Sequence, residues 1–430
     1  MFKFFDMNFT EFPLNNNIAE AITDLGYTTA TPIQEKAIPV LIDGKDLVGC
    51  AQTGTGKTAA FAIPIINHIH RIVGSGKKRK QIRTIVLSPT RELAIQIAEN
   101  FEALSKYTQI KTYVIYGGVN MQPQINALKE GVDVLVATPG RFLDLYKQNF
   151  IKTDAMHQLV IDEADLMLDM GFINDVRKII KLTPPNRQTL MFSATMPMGV
   201  RELADEFLSN AVYVSVDRDS SAGDNITQKI YLVEKEDKKK LLKHVLETQH
   251  LKNVLLFTRT KQGADNVVEF LQKEGYKANA IHGDKSQAAR LQILEDFKNK
   301  QIDVLVATDV ASRGIDIQQL PFVINYDIPN IPEIYVHRIG RTGRAGEEGL
   351  ALSFVGRDEK NYWHDIEKLI RLQVKVVKDN PFPWREANPN AKKDFRNKKT
   401  NTASTNKKKP ANSSKSRKSD ASKKNKKRWY

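Results

Sequence analysis

Ala51 to Thr58 read AQTGTGKT, and further along the apolar run His157-Gln158-Leu159-Val160-Ile161 ends in Asp162-Glu163-Ala164-Asp165. The first segment has the chemistry of a phosphate cradle. Gly54 and Gly56 let the backbone turn tightly with N–H groups aimed inward, and Lys57 opens a helix whose N-terminus carries partial positive charge. Ala51, Gln52, Thr53, Gly54, Thr55, Gly56, Lys57 and Thr58 are therefore the candidate nucleotide loop, with Ala51 standing where the generic pattern has glycine. Lys57 is expected to reach the β- and γ-phosphates and Thr58 to offer its hydroxyl to Mg²⁺. Asp162 ends a buried strand, and its carboxylate would position the metal through water; Glu163 is the candidate base for an attacking water. Together the two segments describe a nucleoside triphosphatase using Mg²⁺.

Such a site needs elements that hold it. Asp46 to Cys50 is a plausible strand before the loop, and Thr58 to Ile72 carries helical apolar spacing after it. Short Val/Ile/Leu-rich runs then alternate with amphipathic stretches. In one segment they are Thr84–Ser88, Thr112–Tyr116, Asp133–Ala137, Leu159–Asp162, Thr189–Ser193 and Val212–Val216. In a second they are Lys229–Val233, Val254–Phe257, Ala278–Ile281, Val304–Ala307, Phe322–Tyr326 and Ala351–Val355. Apolar runs without alternation, separated by helices, predict buried parallel strands in two open α/β domains. Polar residues follow the runs, so functional loops should crowd one rim of each sheet and face each other across a cleft. The domains are read as residues 1–217 and 227–380, with a polar linker at 218–226 and a tail at 381–430.

The chain has 430 residues and a formal charge of +15. From Arg385 to Tyr430 there are 17 Lys/Arg and 3 Asp/Glu, whereas Met1 to Trp384 holds 48 and 47, so the basicity belongs to the tail. Few apolar residues there predict disorder, and the charge predicts a polyanionic partner, nucleic acid rather than membrane. Cys50 is the single cysteine. It excludes an intramolecular disulfide and reads as a small buried hydrophobe at a strand end. No apolar stretch reaches the roughly 18–20 residues of a bilayer span, and the N-terminus lacks a signal-peptide pattern. A cytoplasmic protein is the expectation.

With these residues in order, the chain resembles the DEAD-box RNA helicases of superfamily 2 from Phe9 to Val377, and within them the bacterial RhlE-type branch, through Asp169-Met170-Gly171-Phe172 and Lys285-Ser286-Gln287. The resemblance implies two tandem RecA-like domains, parallel β-sheets flanked by helices, followed by a disordered basic tail. It implies that Gln34, in the adenine-reading segment at about residues 7–35, donates to and accepts from the adenine edge, as its amide permits. Tyr27 is implied to stack on adenine with Phe9 in support, and Ala30 departs from the family's usual proline. Arg341 and Arg344 resemble arginine fingers that meet the γ-phosphate from the second domain, Asp316 the residue that meets the ribose. Asp165, Ser193, Thr195 and His337 are implied to couple nucleotide state to RNA state.

Implied RNA contacts are Arg91, Gly118, Thr138, Arg141, Gln287, Arg290, Thr308 and Arg313, whose guanidiniums, hydroxyls and glycine N–H groups suit the sugar-phosphate backbone rather than bases. RNA preference would come through 2′-OH contacts. The reading is of RNA-stimulated ATP hydrolysis coupled to local unwinding of short duplexes or remodelling of RNA–protein complexes. The tail would be a salt-sensitive tether to structured or ribosomal precursor RNA, with Trp429 and Tyr430 able to stack on bases. The expected state is a monomer, with RNA-decay or ribosome-assembly proteins as partners. Two rival readings are an ATP-gated RNA clamp or annealing scaffold and a DNA translocase. Glu163, Ser193-Ala194-Thr195 and Arg344 favour turnover over a clamp, and the DEAD segment with Gln34 favours RNA over DNA.

Overall fold

Fourteen strands among the described residues fall into two sheets of seven, all parallel. The computed structural model describes residues 7–51, 54–73, 81–216, 226–309, 320–343 and 348–384. Gln52, Thr53, Arg313, Asp316 and Arg344 lie outside the described residues, as do nearly all of the expected linker and residues 385–430 of the tail.

The first lobe contains β1 (Leu47–Cys50), β2 (Thr84–Leu87), β3 (Thr112–Ile115), β4 (Val134–Ala137), β5 (Gln158–Ile161), β6 (Gln188–Ser193) and β7 (Val212–Ser215). Its strand order is β3-β4-β2-β5-β6-β1-β7. The second contains β8 (Ile226–Leu232), β9 (Val254–Thr258), β10 (Ala278–Ile281), β11 (Val304–Thr308), β12 (Phe322–Asn325), β13 (Gly349–Val355) and β14 (Lys375–Val376), in the order β10-β11-β9-β12-β13-β8-β14. Counted within each lobe the two orders are the same permutation, so the lobes are structural repeats.

Apolar residues run continuously along these strands because both faces are covered. In the first sheet Val86, Val134, Val136, Val160 and Phe192 pack to one side with the helices Lys57–Val73 and Arg91–Leu104. The alternate residues Ile85, Leu87, Leu135, Leu159 and Ile161 pack to the other with Pro139–Lys147 and Ile173–Lys181. Phe61 joins the phosphate-loop helix to the sheet, its ring 5.3 Å from Phe192 and 6.0 Å from Phe101. All three rings are fully buried, each contributing about 1.5–3 kcal/mol.

Strand order divides each rim. In the first lobe β5, β6 and β1 are neighbours, bringing the DEAD segment, Ser193-Ala194-Thr195 and the phosphate loop together. The loops after β3, β4 and β2 carry Gly118, Thr138 and Arg91 on the other half. In the second lobe the neighbours β10, β11 and β9 are followed by Gln287, Thr308 and Thr260, while the helix Pro332–Ile339, which precedes Arg341, lies between β12 and β13. Threonines cap the corresponding helices of the two repeats: Thr90 accepts from Leu93 N–H at 3.3 Å and Thr260 from Gly263 N–H at 3.0 Å, each cap worth about 1 kcal/mol.

Lobe two extends past the expected edge at residue 380. Asn380 donates to Leu232 O at 2.8 Å, and Trp384 Nε1 donates to Val233 O at 3.2 Å and Val355 O at 3.0 Å. The indole is an apolar plate that satisfies two strand-end carbonyls, so the basic tail starts after Trp384. No helix among the described residues is long and apolar enough to cross a membrane.

Candidate functional site

Gly54 and Gly56 have φ of 85° and 88°, the left-handed turn that a phosphate loop requires. A Cβ on Gly56 would also lie 2.5 Å from Gln34 Nε2. That contact shows what Gln34 does here. Thr31 to Gln34 is a capping box on the helix Pro32–Ile42: Gln34 Oε1 accepts from Thr31 N–H at 2.8 Å, and Nε2 donates to Gly56 O at 3.1 Å. Thr31 Oγ1 donates to Thr55 O at 2.7 Å. The Gln34 amide, expected to face adenine, engages Thr31 and Gly56 at its two ends here and so ties the phosphate loop to the helix Pro32–Ile42. The Thr-x-x-Gln spacing was the sequence signal for this. Phe9 and Tyr27 do form an aromatic pair, centroids 6.0 Å apart and 29° between planes. Cys50 is half-buried rather than buried, its Sγ 3.7 Å from Ala194 O.

Lys57 donates to Glu163 Oε1 at 2.8 Å. The sequence placed this ammonium on phosphates; in the structure its partner is the candidate base, since a buried ammonium needs a counter-charge. Burial opposes the charged ammonium, but the Glu163 and Asp162 carboxylates outweigh it and hold the Lys57 pKa above its ordinary value. Burial acts likewise on Glu163, and the Lys57 charge and hydrogen bond, helped by His337 and Arg341 of the second lobe, hold its pKa below the usual carboxylate range. Glu163 has φ 53° and ψ 53°. Of the non-glycine residues with positive φ among the described residues it is the one that is buried, a strained conformation of the kind stored at functional sites.

Asp162 is 2 % exposed, and its Oδ1 has no hydrogen-bond partner. Burial, with Glu163 and Asp165 adding their charge, pushes its carboxyl up to about 7 despite Lys57. A buried carboxylate oxygen with a free lone pair fits a divalent cation, and Thr58, the residue after Lys57, is half-buried. No group of three or more His, Cys, Asp or Glu among the described residues could hold a metal by itself.

Asp165 is the hub beside them. Its Oδ2 accepts from both the N–H and the Oγ1 of Thr195 at 2.8 Å; its own N–H donates to Ser193 Oγ at 3.2 Å, and Ser193 Oγ donates to Thr195 O at 2.6 Å. Arg341 is buried, and the helix that precedes it is fixed by Arg338, which sequence reading left without a role. Arg338 is 2 % exposed and grips Asp309 through Nε to Oδ1 at 2.6 Å and Nη2 to Oδ2 at 2.8 Å. Asp309 directly follows Thr308, so this bidentate pair joins the two halves of the lobe-two rim.

On the half that carries the expected RNA contacts, Gly118 has φ 78°, and a Cβ there would lie 2.6 Å from Arg91 Cζ, so the glycine makes room for the guanidinium. Thr138 is half-buried at the start of its helix. Arg141 departs from expectation: it is 7 % exposed, with Nη1 donating to Gln124 Oε1 at 2.9 Å and Nη2 to Val119 O at 3.2 Å. Its helix turns it inward, where it braces the loop after Gly118. Gln287 and Arg290 both reach across to Glu92 of the first lobe, each at 3.0 Å.

A family model described as DEAD/DEAH box helicase matches residues 31–203, and one described as helicase conserved C-terminal domain matches 237–346. An ATP-dependent RNA helicase CshA of Limosilactobacillus reuteri is 44% identical over 86% of this chain and 74% of its own. A DEAD box protein of Methanococcus jannaschii, 40% identical, superposes with a TM-score of 0.51 over 86% of this chain and 99% of that one. Dbp5 of S. cerevisiae bound to RNA and ADP BeF3, 29% identical, superposes with a TM-score of 0.75 over 86% and 95%. These matches run across most of the length, and the chain belongs to the DEAD-box family of ATP-dependent RNA helicases.

Proposed function

We propose that ATP is bound at the β5-β6-β1 half of the first rim and completed by Arg341 and Arg344 from the second lobe, while RNA lies along the other half of both rims. The repeated strand order carries this reading, because it sets nucleotide and RNA segments side by side on each lobe. On ATP binding Lys57 exchanges Glu163 for the β- and γ-phosphates. Glu163 then accepts a proton from the attacking water as the new bond to γ-phosphorus forms and the bridging bond to ADP breaks. Asp162 and Thr58 would hold Mg²⁺, which when bound neutralises phosphate charge.

Arg91, Gly118, Thr138, Gln287, Arg290, Thr308 and Arg313 hold the backbone of one strand, and apposition of the lobes strains a short duplex locally. Arg141 acts by bracing rather than by touching phosphate. Asp165, Ser193 and Thr195 carry the state of the nucleotide half to the RNA half, with His337, and Asp316 meets the ribose. Tyr27 on Phe9 offers the adenine platform. The lobes run to about residue 217 and from about 227 to Trp384. The RhlE-type branch suggested by Lys285-Ser286-Gln287 finds no support in the CshA name of the relative above, and we place the chain nearer CshA. A cytoplasmic setting with structured RNA as substrate completes the reading.

The test is RNA-stimulated ATPase together with unwinding of a short duplex, RNA and DNA side by side. Stimulation and strand separation with RNA are the expected outcome; equal response to DNA, or separation without ATP, contradicts it.

A further inference from the structure

Glu92 lies in the first turn of the helix Arg91–Leu104, on the RNA half of the first lobe. It is 4 % exposed. One oxygen, Oε1, accepts from Gln287 Nε2 at 3.0 Å and pairs with Arg290 Nη2 at 3.0 Å. Both donors belong to the helix Gln287–Lys298 of the second lobe, whose start is fixed by Ser286 Oγ accepting from Ala289 N–H at 3.3 Å. Removing a carboxylate from water is unfavourable unless donors replace the water. For Glu92 those donors come from across the seam, so the contact exists only when the lobes are apposed. The positive charge of Arg91 acts against that of Arg290, and the carboxylate between them offsets the repulsion.

We propose that Glu92 is a positioning residue that joins the two halves of the RNA track: it holds Gln287 and Arg290 in register with Arg91 and Gly118 when the lobes close. This rests on the reading of those four residues as RNA-facing. A contact made only in the apposed arrangement raises the population of that arrangement. Its removal therefore weakens apparent RNA affinity by the fraction lost, and saturating RNA restores the population.

The test uses the full chain, poly(U) RNA and steady-state ATPase over a range of RNA concentrations. Glu92→Ala should raise half-saturating RNA by about tenfold or more while the rate at saturating RNA stays within about threefold. Glu92→Gln keeps a carbonyl acceptor for Gln287 and should fall between Ala and wild type. Interlobe fluorescence transfer with a non-hydrolysable ATP analogue should show the same shift in RNA demand. A lower saturating rate at unchanged half-saturation is what a folding defect gives, and it overturns the proposal; so does a Glu92→Ala curve that overlays wild type. Absence of RNA stimulation in the wild type instead overturns the functional reading itself, and this inference with it.

Discussion

Lys57 and Glu163 hold each other's charge inside the protein at 2.8 Å. Breaking a buried pair from one side leaves an uncompensated charge, so Lys57→Ala should cost about 3–5 kcal/mol in denaturation of the nucleotide-free protein. Adding Glu163→Gln should recover most of that loss; a double variant whose loss equals the sum of the two single losses would show the two residues independent. Catalysis separates them differently. Glu163→Gln should keep ATP and RNA binding yet slow hydrolysis by about 10²- to 10⁴-fold, whereas Lys57→Ala loses nucleotide binding, as titration with a fluorescent ATP analogue would report. Hydrolysis by Glu163→Gln at the wild-type rate refutes the base assignment.

At the scale of elements, Asp165 ties the short helix Ala164–Asp169 to the end of β6 through both donors of Thr195. Asp165→Ala leaves the phosphate loop intact, so duplex unwinding should fall by about tenfold more than RNA-stimulated ATPase; equal losses in the two assays argue against a coupling role. The strands themselves were legible because parallel strands buried on both faces leave unbroken apolar runs. Ala278–Ile281 has the expected bounds, and the others differ by a residue or a few. β14 escaped because two exposed residues, Lys375 and Val376, carry no apolar run and form a strand only against β8. Residue types marked out the candidate nucleotide half, since glycines, a lysine and acidic residues there sit in local turns and strand ends. Partners distant in sequence were not legible: Arg141 with Gln124, Gln34 with Gly56, Glu92 with Gln287 and Arg290. A guanidinium or an amide advertises its capacity to bond, while the fold chooses the partner.

Across the whole molecule, two lobes with one strand order meet so that His337 and Arg341 lower the pKa of Glu163 from the other side. The tail adds charge. Deleting Arg385 to Tyr430, which carry 17 Lys/Arg against 3 Asp/Glu, should weaken RNA binding and flatten its salt dependence, since fewer counterions are released, with basal ATPase unchanged. An unaltered slope of log affinity against log salt removes the tether from the account. The most direct measurement compares ATP turnover, with RNA present, by the full chain and by a fragment ending at residue 217. The fragment carries the phosphate loop and DEAD segment but no arginine from lobe two, so it should bind ATP and turn it over at least about 10³-fold more slowly. Turnover by the ATP-bound fragment at the full-chain rate would contradict hydrolysis at a shared seam.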